Sequence, residues 1–207
     1  MIDWGHAMDA LYSGLMATSP LEAASVALAL AYVVLAIRRS RWCWVTGGLS
    51  SAIMIYLMLQ RQLPMQAALQ VYYVVISAYG WRHWTREEEA RGALVVSTWP
   101  MRWHLAACLA VVLTSAVTAR WLASETQAAW PFLDSLTTWG SLYATWLEAR
   151  VKLENWLFWI FIDSVLSYLF GSQGLYLYAL LSVVYVGFSA VGYVRWLKTY
   201  RTPLPAT

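Results

Sequence analysis

Charge is scarce in this 207-residue chain, with Asp, Glu, Lys and Arg making up 12% of it. Ordinary soluble domains carry roughly 25%. Apolar residues make up 60% and the mean hydropathy is +0.52. That balance reads as an all-α polytopic membrane protein and leaves no room for a soluble domain. Lysine occurs only at Lys152 and Lys198, outside the apolar segments. A retinal photoreceptor, which needs a mid-span lysine for its Schiff base, is therefore excluded. His6, His83 and His104 are scattered, so the clustered groups of an integral-membrane enzyme are missing. The two cysteines, Cys43 and Cys108, form no CxxC pair and suggest neither a disulfide framework nor a metal site. Walker A, H-E-x-x-H and G-x-S-x-G motifs are absent, so ATP-driven transport and the common hydrolases lack their chemistry. The first twenty residues have no basic n-region and carry Asp3 and Asp9, unlike a usual cleavable signal peptide.

Apolar segments of about 20 residues predict membrane-spanning helices. Seven are read: 21–37, 42–59, 64–82, 103–122, 133–149, 153–170 and 174–196. Loops are brief, and the longest, 82–102, has room for a short amphipathic surface piece. With seven spans, one side of the membrane holds only Arg61 and Arg120. The other holds the remaining twelve Lys and Arg. The basic side is cytoplasmic by the positive-inside rule, which puts the N-terminus outside and the C-terminus inside.

An internal repeat appears at an offset of about 112 residues. It pairs Trp44 with Trp156, Tyr73 with Tyr185, Ser77 with Ser189, Gly80 with Gly192 and Trp84 with Trp196. Two three-helix units can be parallel only if one extra span resets the chain, so a 3+1+3 arrangement is expected. The organisation becomes an external segment 1–20, a first repeat 21–84, a linker with span four 85–132, a second repeat 133–197 and a cytoplasmic tail 198–207. Parallel repeats are a known transporter plan with the substrate at the repeat interface.

Fourteen tryptophans and thirteen tyrosines are many for this length. Trp42, Trp44, Trp81, Trp84, Trp99, Trp103, Trp121, Trp130 and Trp196 lie near span ends, where belt anchoring is the default. Asn155, Trp159 and Asp163 recur at spacing four and share one helix face. An intramembrane carboxylate such as Asp163 is a functional hypothesis by default. The equivalent stripe of the first repeat is Cys43, Gly47 and Ser51, so the polar and aromatic groups exist in one half only. The competing reading is that Asn155 caps a helix and Trp159 packs. Gln70 and Tyr73 share a face of span three, and Tyr185 is the twin of Tyr73. Their alternative is interhelical hydrogen bonding. Trp139, Tyr143 and Trp146 share a face of span five. Trp139 is the deeper ring and the better stacking candidate, while Trp146 and Glu148 are expected near the interface. Asn, Gln and Tyr suit hydroxyls and amides, and indole faces suit a flat cationic ring. A small cationic aromatic bearing a sugar fits all three.

The stretches "RSRWCWVTGGLSSAIMIYL", "ALQVYYVVISAYGWRHW", "LENWLFWIFIDS" and "GLYLYALLSVVYVGFSAVGYVRW" resemble the PnuC family of vitamin transporters over about residues 20–198. The resemblance implies a plan similar to full-length SWEET-like transporters, a homotrimer, an inner-membrane location, and no cofactor, metal or nucleic-acid partner. It implies facilitated diffusion of nicotinamide riboside, with uptake made net-inward by a cytosolic nicotinamide riboside kinase that feeds NAD biosynthesis. Relatives carrying thiamine, riboflavin or deoxynucleosides keep the substrate open, thiamine being the main rival. Carried onto this chain, the resemblance points to Gln70, Tyr73, Asn155, Trp159 and Asp163. Trp159 would stack on the pyridinium with Trp139 or Trp146 opposite, Gln70 and Asn155 would bind ribose or carboxamide, and Asp163 would orient neighbours or offset the cation. Pro64 and the "GSQG" of 171–174 are expected hinges.

Overall fold

The computed structural model describes Tyr12, Met16 and residues 18–60, 64–125 and 130–202, without the side chains of Pro64 and Met65. Most of the expected external segment, with Arg61, Leu63 and the end of the tail, lies outside those residues. Seven long helices account for most of the rest: α1 Pro20–Ile37, α2 Trp42–Gln60, α3 Pro64–Arg91, α4 Met101–Glu125, α5 Pro131–Ala149, α6 Asn155–Ser172 and α7 Tyr176–Arg201. They match the seven expected spans. No strand occurs among the described residues, only one isolated bridge between Ser97 and Lys152.

Four helices, α1, α2, α4 and α7, are individually long and apolar enough to cross a membrane. The remaining three are diluted for identifiable reasons. Helix α3 is 28 residues long and ends in the charged run "REEEAR". At 1.5 Å per residue that is about 42 Å, well beyond a hydrocarbon core of ~30 Å. Helix α5 carries Asp134, Glu148 and several hydroxyls, and α6 carries Asn155 and Asp163. These helices hold most of the expected site residues.

Local chemistry sets the helix ends. Ser19 caps α1 in a reciprocal box with Glu22, with Pro20 in the first turn, which satisfies otherwise orphaned N–H groups. At its other end Arg39 adopts φ +57°. Arg39 N–H donates to Ala36 O at 2.9 Å and Ser40 N–H to Leu35 O at 2.9 Å, completing a Schellman turn. The end of α5 repeats this at the same offset: Val151 has φ +54° and Lys152 N–H donates to Leu147 O at 2.9 Å. Neither left-handed position is a glycine.

The chain divides into two compact units. One comprises Leu15–Val96 with Ala149–Val151 and Val194–Thr207, and so holds α1, α2, α3 and the last part of α7. The α1 and α2 backbones meet where Ser50 Oγ donates to Ser25 O at 2.8 Å. A Cβ on Gly80 would collide with the Trp44 indole, so α3 needs glycine there to approach α2. Trp44, Trp84 and Trp196 are 0–2% exposed. These three were expected as belt anchors and instead form a core. Trp84 Nε1 donates to Ala149 O and Trp196 Nε1 to Ala36 O, each at 3.2 Å. The two repeat-related indoles thus cap the first helix of the opposite repeat, with ring centroids 6.2 Å apart. Trp42, with a relative exposure of 56%, keeps the exposure a belt anchor requires.

The other unit comprises Ser97–Glu148 and Lys152–Tyr193, carrying α4, α5, α6 and most of α7. Its α6–α7 contact repeats the one above: a Cβ on Gly192 would lie 2.7 Å from the Trp156 ring. The segment before α4 is tied to the start of α6. Leu153 N–H donates to Ser97 O at 2.9 Å, Lys152 Nζ to Ser97 Oγ at 2.8 Å, and Trp99 N–H to Glu154 Oε1 at 2.8 Å. The expected surface piece in 82–102 is therefore absent. Residues 82–91 continue α3, and Leu94 and Val96 are buried. Trp103, Trp121 and Trp130 are 41–53% exposed, as belt residues are.

Candidate functional site

Helix α6 presents the expected stripe, and all three members are withdrawn from the surface. Asn155 is fully buried, Asp163 is 6% exposed, and Trp159 is half-buried. Asn155 opens the helix and its Nδ2 donates to Lys152 O at 2.6 Å. Asn155 is thus the first helical residue and not the cap: Glu154 holds the N-cap position, and the Asn155 side chain makes no capping bond to the first turn. Its Oδ1 is buried and has no hydrogen-bond partner among the described residues. A buried acceptor left open costs about 1–3 kcal/mol, which a donor from a bound molecule would offset.

Trp159 Nε1 donates to Glu148 Oε2 at 3.3 Å. Glu148 is 1% exposed. It was expected at the interface and is instead a buried carboxylate beside the central ring of the stripe. The signal was present in the spacing. Thr137, Ser141, Ala144, Thr145 and Glu148 step along one face of α5, and all are buried. The aromatic residues lie on a different face. Trp139 is 37% exposed and donates its Nε1 to Thr118 Oγ1 on α4 at 3.1 Å. Trp146 packs on Trp99 with centroids 4.8 Å apart and stacks on Tyr143 at 6.5 Å. Tyr143 in turn meets His104 Nδ1 at 2.9 Å. The expectation that Trp139 or Trp146 opposes Trp159 is corrected by this packing. Residues 139 and 148 are nine apart, and 146 and 148 two apart, so a helix turns those rings away from the Glu148 face.

Asp163 of α6 and Tyr185 of α7 lie in the same unit. Gln70 and Tyr73 belong to the other unit. Both are half-buried on α3, and Ser77 Oγ donates to Tyr73 O at 2.7 Å. Tyr73 also packs edge-on against Tyr72, with centroids 5.7 Å apart.

Comparison of the repeats explains why only one carries the stripe. Gly47 is the twin of Trp159, and a Cβ there would lie 2.8 Å from the Tyr32 ring. The first repeat fills this position with a tyrosine lying over a glycine. The twin of Tyr32 is Ala144, so large and small have exchanged places between repeats. The twin of Glu148 is Ala36. At these two positions the second repeat opens room (Ala144) or adds polarity (Glu148) where the first is filled (Tyr32) or apolar (Ala36).

Among the described residues no group of three or more His, Cys, Asp or Glu is arranged to hold a metal. A family model described as nicotinamide mononucleotide transporter matches residues 19–198. The nicotinamide riboside transporter PnuC of Escherichia coli (strain K12) is 27% identical over 168 residues, covering 69% of this chain and 70% of that protein. The riboflavin/roseoflavin transporter RibM of Streptomyces davaonensis is 30% identical over 186 residues, covering 86% and 85%. A crystal structure of the vitamin B3 transporter PnuC aligns with a TM-score of 0.70 at 20% identity, over 96% of this chain and 89% of that one. The arrangement of the helices is thus that of a PnuC transporter, and the chain belongs to the nicotinamide mononucleotide transporter family of membrane transporters, as the PnuC-like motifs implied.

Proposed function

We propose that this protein is a nicotinamide riboside uniporter working by alternating access, a homotrimer in the inner membrane with its N-terminus outside and C-terminus cytoplasmic. Cytosolic phosphorylation by a nicotinamide riboside kinase traps the product and feeds NAD biosynthesis. The observation that carries this reading is the α6 stripe with its α5 partner: Trp159 hydrogen-bonded to the buried Glu148 and flanked on its face by Asn155 and Asp163. An indole face beside carboxylates favours a flat cation such as a pyridinium. The open Asn155 Oδ1 suits a ribose hydroxyl or carboxamide N–H. Tyr185 supplies a further polar contact, and Trp139 and Trp146 act as the α4-side wall of α5 rather than as ligand contacts. Phosphorylated nucleotides are refused, because no basic residue shares the stripe of Asn155, Trp159 and Asp163 to hold a phosphate.

A second reading, riboflavin, rests on the likeness to RibM, and thiamine is the other flat cation. Calorimetric titration of the purified protein with nicotinamide riboside, thiamine, riboflavin and nicotinamide mononucleotide separates them. Heat with the riboside and none with the mononucleotide is expected. Binding of riboflavin or thiamine with none of the riboside overturns the substrate.

A further inference from the structure

The unit carrying α4, α5 and α6 has a cavity of about 520 Å³ that the α6 stripe does not use. Met101, Leu105 and Val112 of α4 line one side, and Leu157 and Phe161 of α6 line the other. These five are themselves 44–70% exposed, so the cavity is a groove open to whatever surrounds the helices. Its wall also includes His104, Tyr143 and Glu154, whose polar atoms meet one another and leave the groove surface apolar. His104 Nδ1 meets Tyr143 Oη at 2.9 Å and His104 Nε2 lies 3.3 Å from Glu154 Oε1.

Its length identifies the occupant. From Met101 to Val112 the helix rises about 16 Å, close to half of a ~30 Å hydrocarbon core. The groove therefore starts where α4 starts and is one leaflet deep. Arg102 stands at the same end, exposed, its guanidinium 5.9 Å from the Trp103 ring, with no ion pair among the described residues. Trp103 and Trp146 both pack on Trp99 there, with centroids 6.4 and 4.8 Å from it, as aromatic residues do at headgroup level. An apolar channel one leaflet deep, ending at a cation and an indole cluster, complements one acyl chain and its phosphate.

We propose that this groove is a resident phospholipid site, with an acyl chain between α4 and α6 and the phosphate at Arg102. This goes beyond the transport reading and does not depend on it. The test is native mass spectrometry of the whole protein from mixed micelles containing phosphatidylglycerol. The wild type is expected to retain one phosphatidylglycerol per chain. Leu105→Trp, which fills the groove, and Arg102→Ala should each lower the retained fraction at least five-fold. Leu109→Trp, exposed on the same helix but outside the groove, should leave it unchanged and shows that the fold tolerates the ring. Equal retention by Leu105→Trp and wild type overturns the site. A change in protomer number in Leu105→Trp, with lipid count unchanged, assigns the groove to a second copy of the chain and overturns it too. Dioleoylglycerol, which has the chains without the phosphate, binding as tightly overturns the role of Arg102. Cys108 also lines the groove, so phosphatidylglycerol should slow its alkylation by N-ethylmaleimide in the wild type and not in Arg102→Ala. An unchanged rate in the wild type counts against the proposal.

Discussion

Trp159 and Glu148 form the hydrogen bond on which the site reading leans, and they can be separated chemically. Glu148→Ala removes the acceptor and leaves the Trp159 ring unpinned. A hydrogen bond to a charged group contributes about 1.5–3 kcal/mol, so riboside affinity should fall roughly ten-fold or more. Glu148→Gln keeps an acceptor oxygen and should fall less. Trp159→Phe keeps an aromatic ring but has no N–H. If Glu148 acts through the indole, Glu148→Gln on top of Trp159→Phe should cost little more, a non-additivity that calorimetry reads directly. Fully additive losses would mean that Glu148 touches the ligand by itself. Trp159 was legible from spacing four with Asn155 and Asp163. Glu148 was not, because its position near a span end suggested an interface. Its burial depends on which face of α5 turns inward, and the apolar ends of indoles and tyrosines made the wrong face look like the inner one.

At the scale of elements, the two repeated turns carry strain that the sequence does not advertise. Left-handed backbone costs an L-residue roughly 1–2 kcal/mol, and a β-branched residue there is an outlier. Arg39 offsets it with a side-chain hydrogen bond from Nη1 to Leu94 O at 3.2 Å. Val151 offsets it by packing, at 3% exposure. Val151→Ala and Val151→Gly both lose that packing, but only glycine relieves the backbone. The glycine variant should therefore unfold at higher temperature than the alanine variant in detergent, the reverse of the order in a helix interior. An alanine variant at least as stable as glycine would show that this turn is not left-handed in solution. The close approaches at Gly80 and Gly192 predict a matched pair of losses. Gly80→Ala and Gly192→Ala each push a methyl into a buried indole, an overpacking that costs about 1–3 kcal/mol, so each should lower the unfolding midpoint. The helices themselves were readable from long apolar segments. The turns were not, since neither Arg39 nor Val151 is a residue type that signals φ above zero.

For the whole molecule, the 112-residue offset has a physical counterpart in the exchange of Trp84 and Trp196 between repeats. Membrane burial gives apolar side chains little hydrophobic drive, so packing and paired polar groups hold helices together. An indole N–H inside such a bundle needs an acceptor. Here each repeat supplies the carbonyl that the other repeat's tryptophan uses, Ala149 O for Trp84 and Ala36 O for Trp196. The repeat pairing was visible in the sequence, but identical residues say only that two positions share an environment, and both looked like interface anchors. The swap predicts symmetry in the energetics. Trp84→Phe and Trp196→Phe each remove one N–H and leave one buried carbonyl short of a donor, for about 1 kcal/mol apiece. Their effects on the unfolding midpoint should be similar in size. Because the two rings lie 6.2 Å apart, the double variant should depart from the sum of the singles. A large loss at one position with none at the other would show that only one repeat depends on the exchange, and additive losses would show that the two caps act separately.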